Sequence, residues 1–154
     1  MTLPLGSYAM LKPRNPALLV GSVIDMLVGD DAILSLEGFS LPKLVLSLPG
    51  VTWAETDVLR RNTIEPKLDF IVVPLDASRG TTIKEALAKP SVLAGETSGL
   101  VHLQVAKKGR LVFGAYDNVH PECTVVYEPY VRSLSETLLK NGAVESYSIG
   151  NHVA

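Results

Sequence analysis

Between Leu100 and Tyr116 the apolar residues Val101, Leu103 and Val105 alternate along the chain, stop at Lys107-Lys108-Gly109, and resume at Leu111 and Phe113. A period of two is the signature of a strand buried on one side. A gap this short cannot hold a crossover helix, so the two strands lie antiparallel, and Gly109 is the natural position for a positive φ in the turn. Most other strand-like segments are also joined by short turns. That predicts an α+β fold: an antiparallel or mixed sheet of about six strands with about three helices packed on it, rather than a doubly wound parallel sheet.

The helices have their own signals. Asn15-Pro16 pairs a cap residue with proline at the first helical position, and the stripe Leu19, Val20, Val23, Ile24, Leu27 and Val28 predicts a helix over 16–28 with Gly29 as its left-handed stop. Leu18 and Met26 widen this stripe almost around the helix, as covering on two sides or by a partner subunit would require. Thr82 with Glu85 has capping-box spacing and predicts a helix over 81–89, stopped by Pro90. A third helix is expected over 129–141, with Val131, Leu134 and Leu138 inward and Gly142 as its stop.

Further strands are expected over 8–11, at the sheet edge because Pro4, Pro13 and Pro16 frame it, and over 31–37, 124–128 and 145–149. The β-branched run in 68–75 suggests a central or near-central strand, joined in a hairpin to an extended stretch over 51–64. Residues 44–48 fit either a strand or one helical turn.

A chain of 154 residues with 47% hydrophobic positions removes roughly two-thirds of its unfolded surface from water and needs no staples. No repeat or linker divides it, so one domain over 1–154 is expected. Cys123, the sole cysteine, cannot form an internal disulfide, and no secretion signal is recognisable, which points to the cytoplasm. The longest apolar stretch, over 17–28, falls short of the ~20 residues of a bilayer crossing. Fourteen basic against sixteen acidic residues, a formal charge of −2, create no field that recruits nucleic acid, and neither Arg60-Arg61 nor Lys107-Lys108 is interleaved with aromatics.

Two stretches carry chemistry. In 76–82, a polar segment between a strand and a helix, Arg79, Thr81 and Thr82 could hold an anion at the helix N-terminus; the competing reading is an ordinary cap. The denser stretch is Tyr116-Asp117-Asn118-Val119-His120-Pro121-Glu122-Cys123. There His120 is the candidate acid/base, Cys123 the candidate nucleophile and Asp117 or Glu122 the group orienting the imidazole, with Tyr116 and Asn118 as further ligand contacts. The competing reading is a turn with exposed His120 and an inert Cys123. His120 and Cys123 make at most half a zinc site, which only His102, His152 or carboxylates could complete, so neither a metal nor a cofactor is expected. Asp30-Asp31 reads as a hydrophilic turn, and Tyr127, Glu128 and Tyr130 could join Tyr116 and Trp53 in a contact surface.

No Gly-x-Ser-x-Gly elbow or phosphate-cradling loop occurs. The preferred expectation is a small non-catalytic protein that acts by self-association or against a protein partner. The alternative is a small enzyme or anionic-ligand-binding protein that uses 116–123 with Arg79.

Overall fold

A computed structural model describes residues 6–93 and 99–152; Pro4 lies outside them. Seven strands form one antiparallel sheet: β1 (Gly6–Pro13), β2 (Ala32–Gly38), β3 (Asp69–Pro74), β4 (Leu100–Lys107), β5 (Arg110–Ala115), β6 (Thr124–Tyr127) and β7 (Val144–His152). Their order across the sheet is β3-β2-β4-β5-β6-β1-β7. The helices are α1 (Pro16–Leu27), α3 (Ala77–Leu87) and α5 (Val131–Lys140), with single turns α2 (Lys43–Leu46) and α4 (Pro90–Leu93). The fold is α+β.

Local chemistry accounts for most elements. The Asn15 side chain accepts the amide of Leu18 and caps α1, while Leu19, Val20, Val23, Ile24 and Leu27 are buried. Lys108 and Gly109 both have positive φ, the requirement of a two-residue turn matched to sheet twist. Gly142 closes α5 with φ 83°. Gly29 does not act this way: Val28 ends α1 in an extended conformation, and Gly29 instead lies close to the Asp31 carboxylate. Residues 43–46 resolve as helix.

Helix α3 begins earlier than the Thr82–Glu85 spacing predicts. The Asp76 carboxylate accepts the amide of Arg79 and caps the helix, so Thr81 and Thr82 fall inside it. Gly80, which looked like a loop residue, is where α3 meets α1: a Cβ there would stand 2.7 Å from Val28 Cγ1.

Strand positions differ from expectation in two places. β1 is interior, lying between β6 and β7. β3 is an edge strand, and no hairpin joins it to 51–64; that stretch is irregular and contributes one bridge, Thr52 to Val72. It is nonetheless folded onto the molecule, because Leu59 is fully buried with Phe70, Val72 and Ala106.

The sheet has two unlike faces. Leu34, Leu36, Ile71, Val73, Leu103, Val105 and Phe113 join the inward residues of α1, α3 and α5 in the main core. The opposite face carries a smaller cluster under the 51–68 segment, and next to it a row of polar side chains. Among the described residues no helix is long and apolar enough to cross a membrane.

Candidate functional site

The polar row is set by register. Ser35 and Glu37 on β2 stand opposite Gln104 and His102 on β4, and Gln104 stands opposite Gly114 on β5. These residues share the parity that points away from the helices. Gly114 has a specific purpose: a Cβ there would meet the Tyr116 hydroxyl at 2.5 Å, so only glycine lets that ring lie back across the strand. The Tyr116 hydroxyl then accepts from Gln104 Nε2 at 3.1 Å, while Gln104 Oε1 accepts from Ser35 Oγ at 3.1 Å. Burial pushes the Tyr116 phenol up to about 12, so it stays protonated.

Glu37 is only 1% exposed, yet its carboxylate is satisfied by the backbone amides of Asn62 at 2.8 Å and Thr63 at 3.2 Å. It latches the covering segment onto the sheet. Arg61 tightens the same segment by donating to the Leu68 carbonyl and lying 5.2 Å over the Phe70 ring.

His102 is the centre of the row. Its Nδ1 lies 3.2 Å from the amide of Asp117, and its Nε2 lies 2.7 Å from Thr63 Oγ. A backbone N–H can only donate, so Nδ1 is unprotonated and Nε2 carries the proton toward Thr63. Burial pulls the imidazole below its ordinary range, against the opposing pull of Glu37 and Asp117.

Beyond His102, an open cleft of about 450 Å³ is lined by Asn62, Thr63, His102, Tyr116, Asp117, Glu122, Cys123 and Val125. Four residues of the 116–123 stretch therefore meet in one place. The turn that presents them is unusual: Asp117, Asn118 and Val119 have consecutive φ values of 52°, 60° and 59°. For L-residues this left-handed state costs roughly 1–2 kcal/mol each. It is held by Asp117 N–H to His102, Asn118 N–H to the Val101 carbonyl, His120 N–H to the Tyr116 carbonyl, and burial of Val119 in the main core.

The remaining candidates lie elsewhere or are engaged. The His120 side chain is not among the cleft residues; its Nδ1 accepts the amide of Glu122. Arg79 pairs with Asp76 and donates to the Pro49 carbonyl, so the α3 N-terminus is filled by its own carboxylate. Thr81 Oγ turns back to the Ala77 carbonyl, and Thr82 is an ordinary helix position. Asp31 pairs with Lys107 across the turn. Tyr127 lies near the Tyr116 phenol but is buried, Tyr130 packs on the main core, and Trp53 stands exposed beside edge strand β3, so these aromatics do not make one exposed surface. Among the described residues no three His, Cys, Asp or Glu side chains converge as a metal site would.

The Cys123 thiol donates to the Asp117 carboxylate at 3.7 Å. Burial and that neighbouring charge both push the thiol up, away from the reactive thiolate. Alkylation by iodoacetamide at pH 7.5 is accordingly expected to run several-fold slower than for a small free thiol, and to quicken several-fold in Asp117→Asn. A wild-type rate at or above that of the free thiol contradicts this placement.

The chain matches no protein-family model, no curated protein and no solved structure. Glu37, Gln104, Ser35 and Thr63 are absent from the sequence-based candidates, and His102 enters there only as a residue that could complete a zinc half-site. The usable signal was shared parity: His102 and Gln104 alternate against Leu103 and Val105, as Ser35 and Glu37 do against Leu34 and Leu36.

Proposed function

We propose that this chain is a small non-catalytic binding protein of the cytoplasm that works by contact with another polypeptide, either a second copy of itself or a different partner. What carries this reading is the state of the cleft. Both ring nitrogens of His102 are already hydrogen-bonded, and the Cys123 thiol is held in its protonated form. A general base needs a lone pair facing its substrate, and a nucleophile needs an activated thiolate. The cleft is instead a shaped polar surface with an apolar side chain beside it. Ile64, next to the lining residue Thr63, is 91% exposed, and covering it would contribute about 2 kcal/mol to an association. The enzyme or anion-binding reading through His120, Cys123 and Arg79 has less behind it, because Arg79 is tied to Asp76 rather than to the 116–123 loop.

The test is native mass spectrometry of the protein purified from its own cells, as wild type and as Ile64→Asp. A dimer or a hetero-complex in the wild type is expected. The aspartate variant is expected to lose it while keeping its circular dichroism and thermal midpoint. A monomer in both, or a monomer holding a metal ion or small molecule, overturns the proposal.

A further inference from the structure

We propose that protonation of His102 releases the left-handed turn Asp117–Val119, so that one wall of the cleft opens as the surroundings acidify. A second proton has only one place to go. Nε2 already bears a hydrogen donated to Thr63, so the added proton must sit on Nδ1. There it faces the Asp117 N–H across 3.2 Å, replacing an acceptor by a second donor. The charged imidazole and the present position of the Asp117 amide are incompatible.

The turn cannot absorb this by a small adjustment. Three successive left-handed residues, the third β-branched, are held against their preference by a short set of bonds, and Asp117 N–H to His102 is the first of them. Once that bond is lost, Asp117 can return to a right-handed or extended backbone, and its carboxylate can turn toward the new Nδ1–H as an ion-paired acceptor. Asn118 and Val119 follow because they are adjacent in the same turn.

The charges around the ring set the direction. On β2, Glu37 stands directly opposite His102 and favours the charged ring, as does Asp117 from the turn. Just after β5, Tyr116 presents a neutral ring with its centroid at 5.6 Å. The covering segment offers only Asn62 and Thr63, and Glu122 and the Cys123 thiol complete the cleft. Among the described residues lining the cleft there is no Lys or Arg. Burial outweighs the two carboxylates, so the ring protonates below the ordinary value of 6.5. The folded protein therefore holds fewer protons than the unfolded chain just below pH 6.5, and His102 contributes stability above that pH that is lost progressively as the pH falls.

The consequence for a partner rests on the reading that the cleft is a contact surface; the turn's release does not, and it is measured on the protein alone. Imidazole and backbone amide NMR signals are followed from pH 7.5 to 5. At pH 7.5 the His102 ring is expected with its proton on Nε2. On acidification, the amides of Asp117, Asn118 and Val119 are expected to shift with the His102 midpoint, below 6.5. In His102→Asn, whose amide oxygen can take the place of Nδ1 without titrating, those three amides are expected to lose their pH dependence. They are expected to keep it in His120→Gln. A ring proton on Nδ1 at pH 7.5, titration of His102 without movement of the three amides, or loss of the effect in His120→Gln rather than in His102→Asn each overturns the proposal. The tautomer is read on wild-type protein, so the test stands even if the asparagine variant does not fold.

Discussion

Gly38→Ala is expected to lower the thermal midpoint by about 10 °C. A Cβ at Gly38 would lie 2.0 Å from the Gly99 carbonyl oxygen, and its next nearest neighbours are also backbone atoms, Gly99 C and Leu100 Cα. Nothing flexible stands in the way that could rotate aside. The Gly99 carbonyl is fixed there because it accepts the Phe39 amide at 2.8 Å, beside the register shift between Glu37 and Gly38. Gly99 is crowded in turn, with a Cβ placed 2.3 Å from the Ser40 carbonyl oxygen. Forced overlap of this kind costs about 3 kcal/mol, which for a chain of this size corresponds to the stated shift at roughly 2–4 °C per kcal/mol. Gly109→Ala is the control, since a Cβ there meets nothing within 4 Å and only its φ of 74° is unfavourable. Calorimetry on both variants decides the matter. A Gly38→Ala midpoint within 2 °C of wild type would mean that the two strand ends can separate freely.

Glu37→Leu is expected to cost about 3 kcal/mol, because it strands two backbone donors, at Asn62 and Thr63, that the carboxylate now satisfies. Glu37→Gln should cost less, since its amide oxygen keeps one of the two. The loss has a local signature. The covering segment remains anchored at Leu59, which is fully buried, but its stretch from Arg60 to Ile64 loses its hold on the sheet. Trypsin should then cut at Arg60 or Arg61 in the leucine variant under conditions where wild type is resistant, and amide exchange at Asn62 and Thr63 should rise. Unchanged proteolysis and exchange in Glu37→Leu rule out the latch.

Where the sequence was informative, the cause was local. Asn15-Pro16 starts a helix through its own side chain and ring, and the Lys108-Gly109 turn needs only two residues to adopt positive φ. Strand order is different, because it is decided by contacts between distant parts of the chain. β3 looked central because nearly every position in it is buried, yet it sits at the edge, sandwiched between the helices on one face and the covering segment on the other. Its β-branched composition records burial on both faces, not the number of strand neighbours. β1 erred the opposite way: its flanking prolines suggested an edge, but Pro13 falls at the irregular end of the β1–β7 pairing and leaves the rest of the ladder intact.

The candidate site divides in the same manner. Tyr116, Asp117, Glu122 and Cys123 are close in sequence and line one cleft, but the histidine beside Tyr116 and Asp117 is His102, not His120. Only the β4–β5 and β2–β4 registers bring His102 there, and a bulge between Val105 and Ala106 resets the first of these. Proximity along the chain favoured His120, whose Nδ1 is taken by a backbone amide two residues away. Asp76 shows a related effect, since a carboxylate that caps its own helix also satisfies the Arg79 that could have met an anion.

The interior position of β1 bears on how the protein is made. Tyr8 pairs with Tyr127 on one side and Gly150 on the other, so this strand has neither neighbour until β6 and then β7 have been translated. Such distant pairings slow folding. Meanwhile α1 emerges with its greasy stripe uncovered, and together they form a nascent segment that chaperones would have to shield from its counterparts on neighbouring ribosomes.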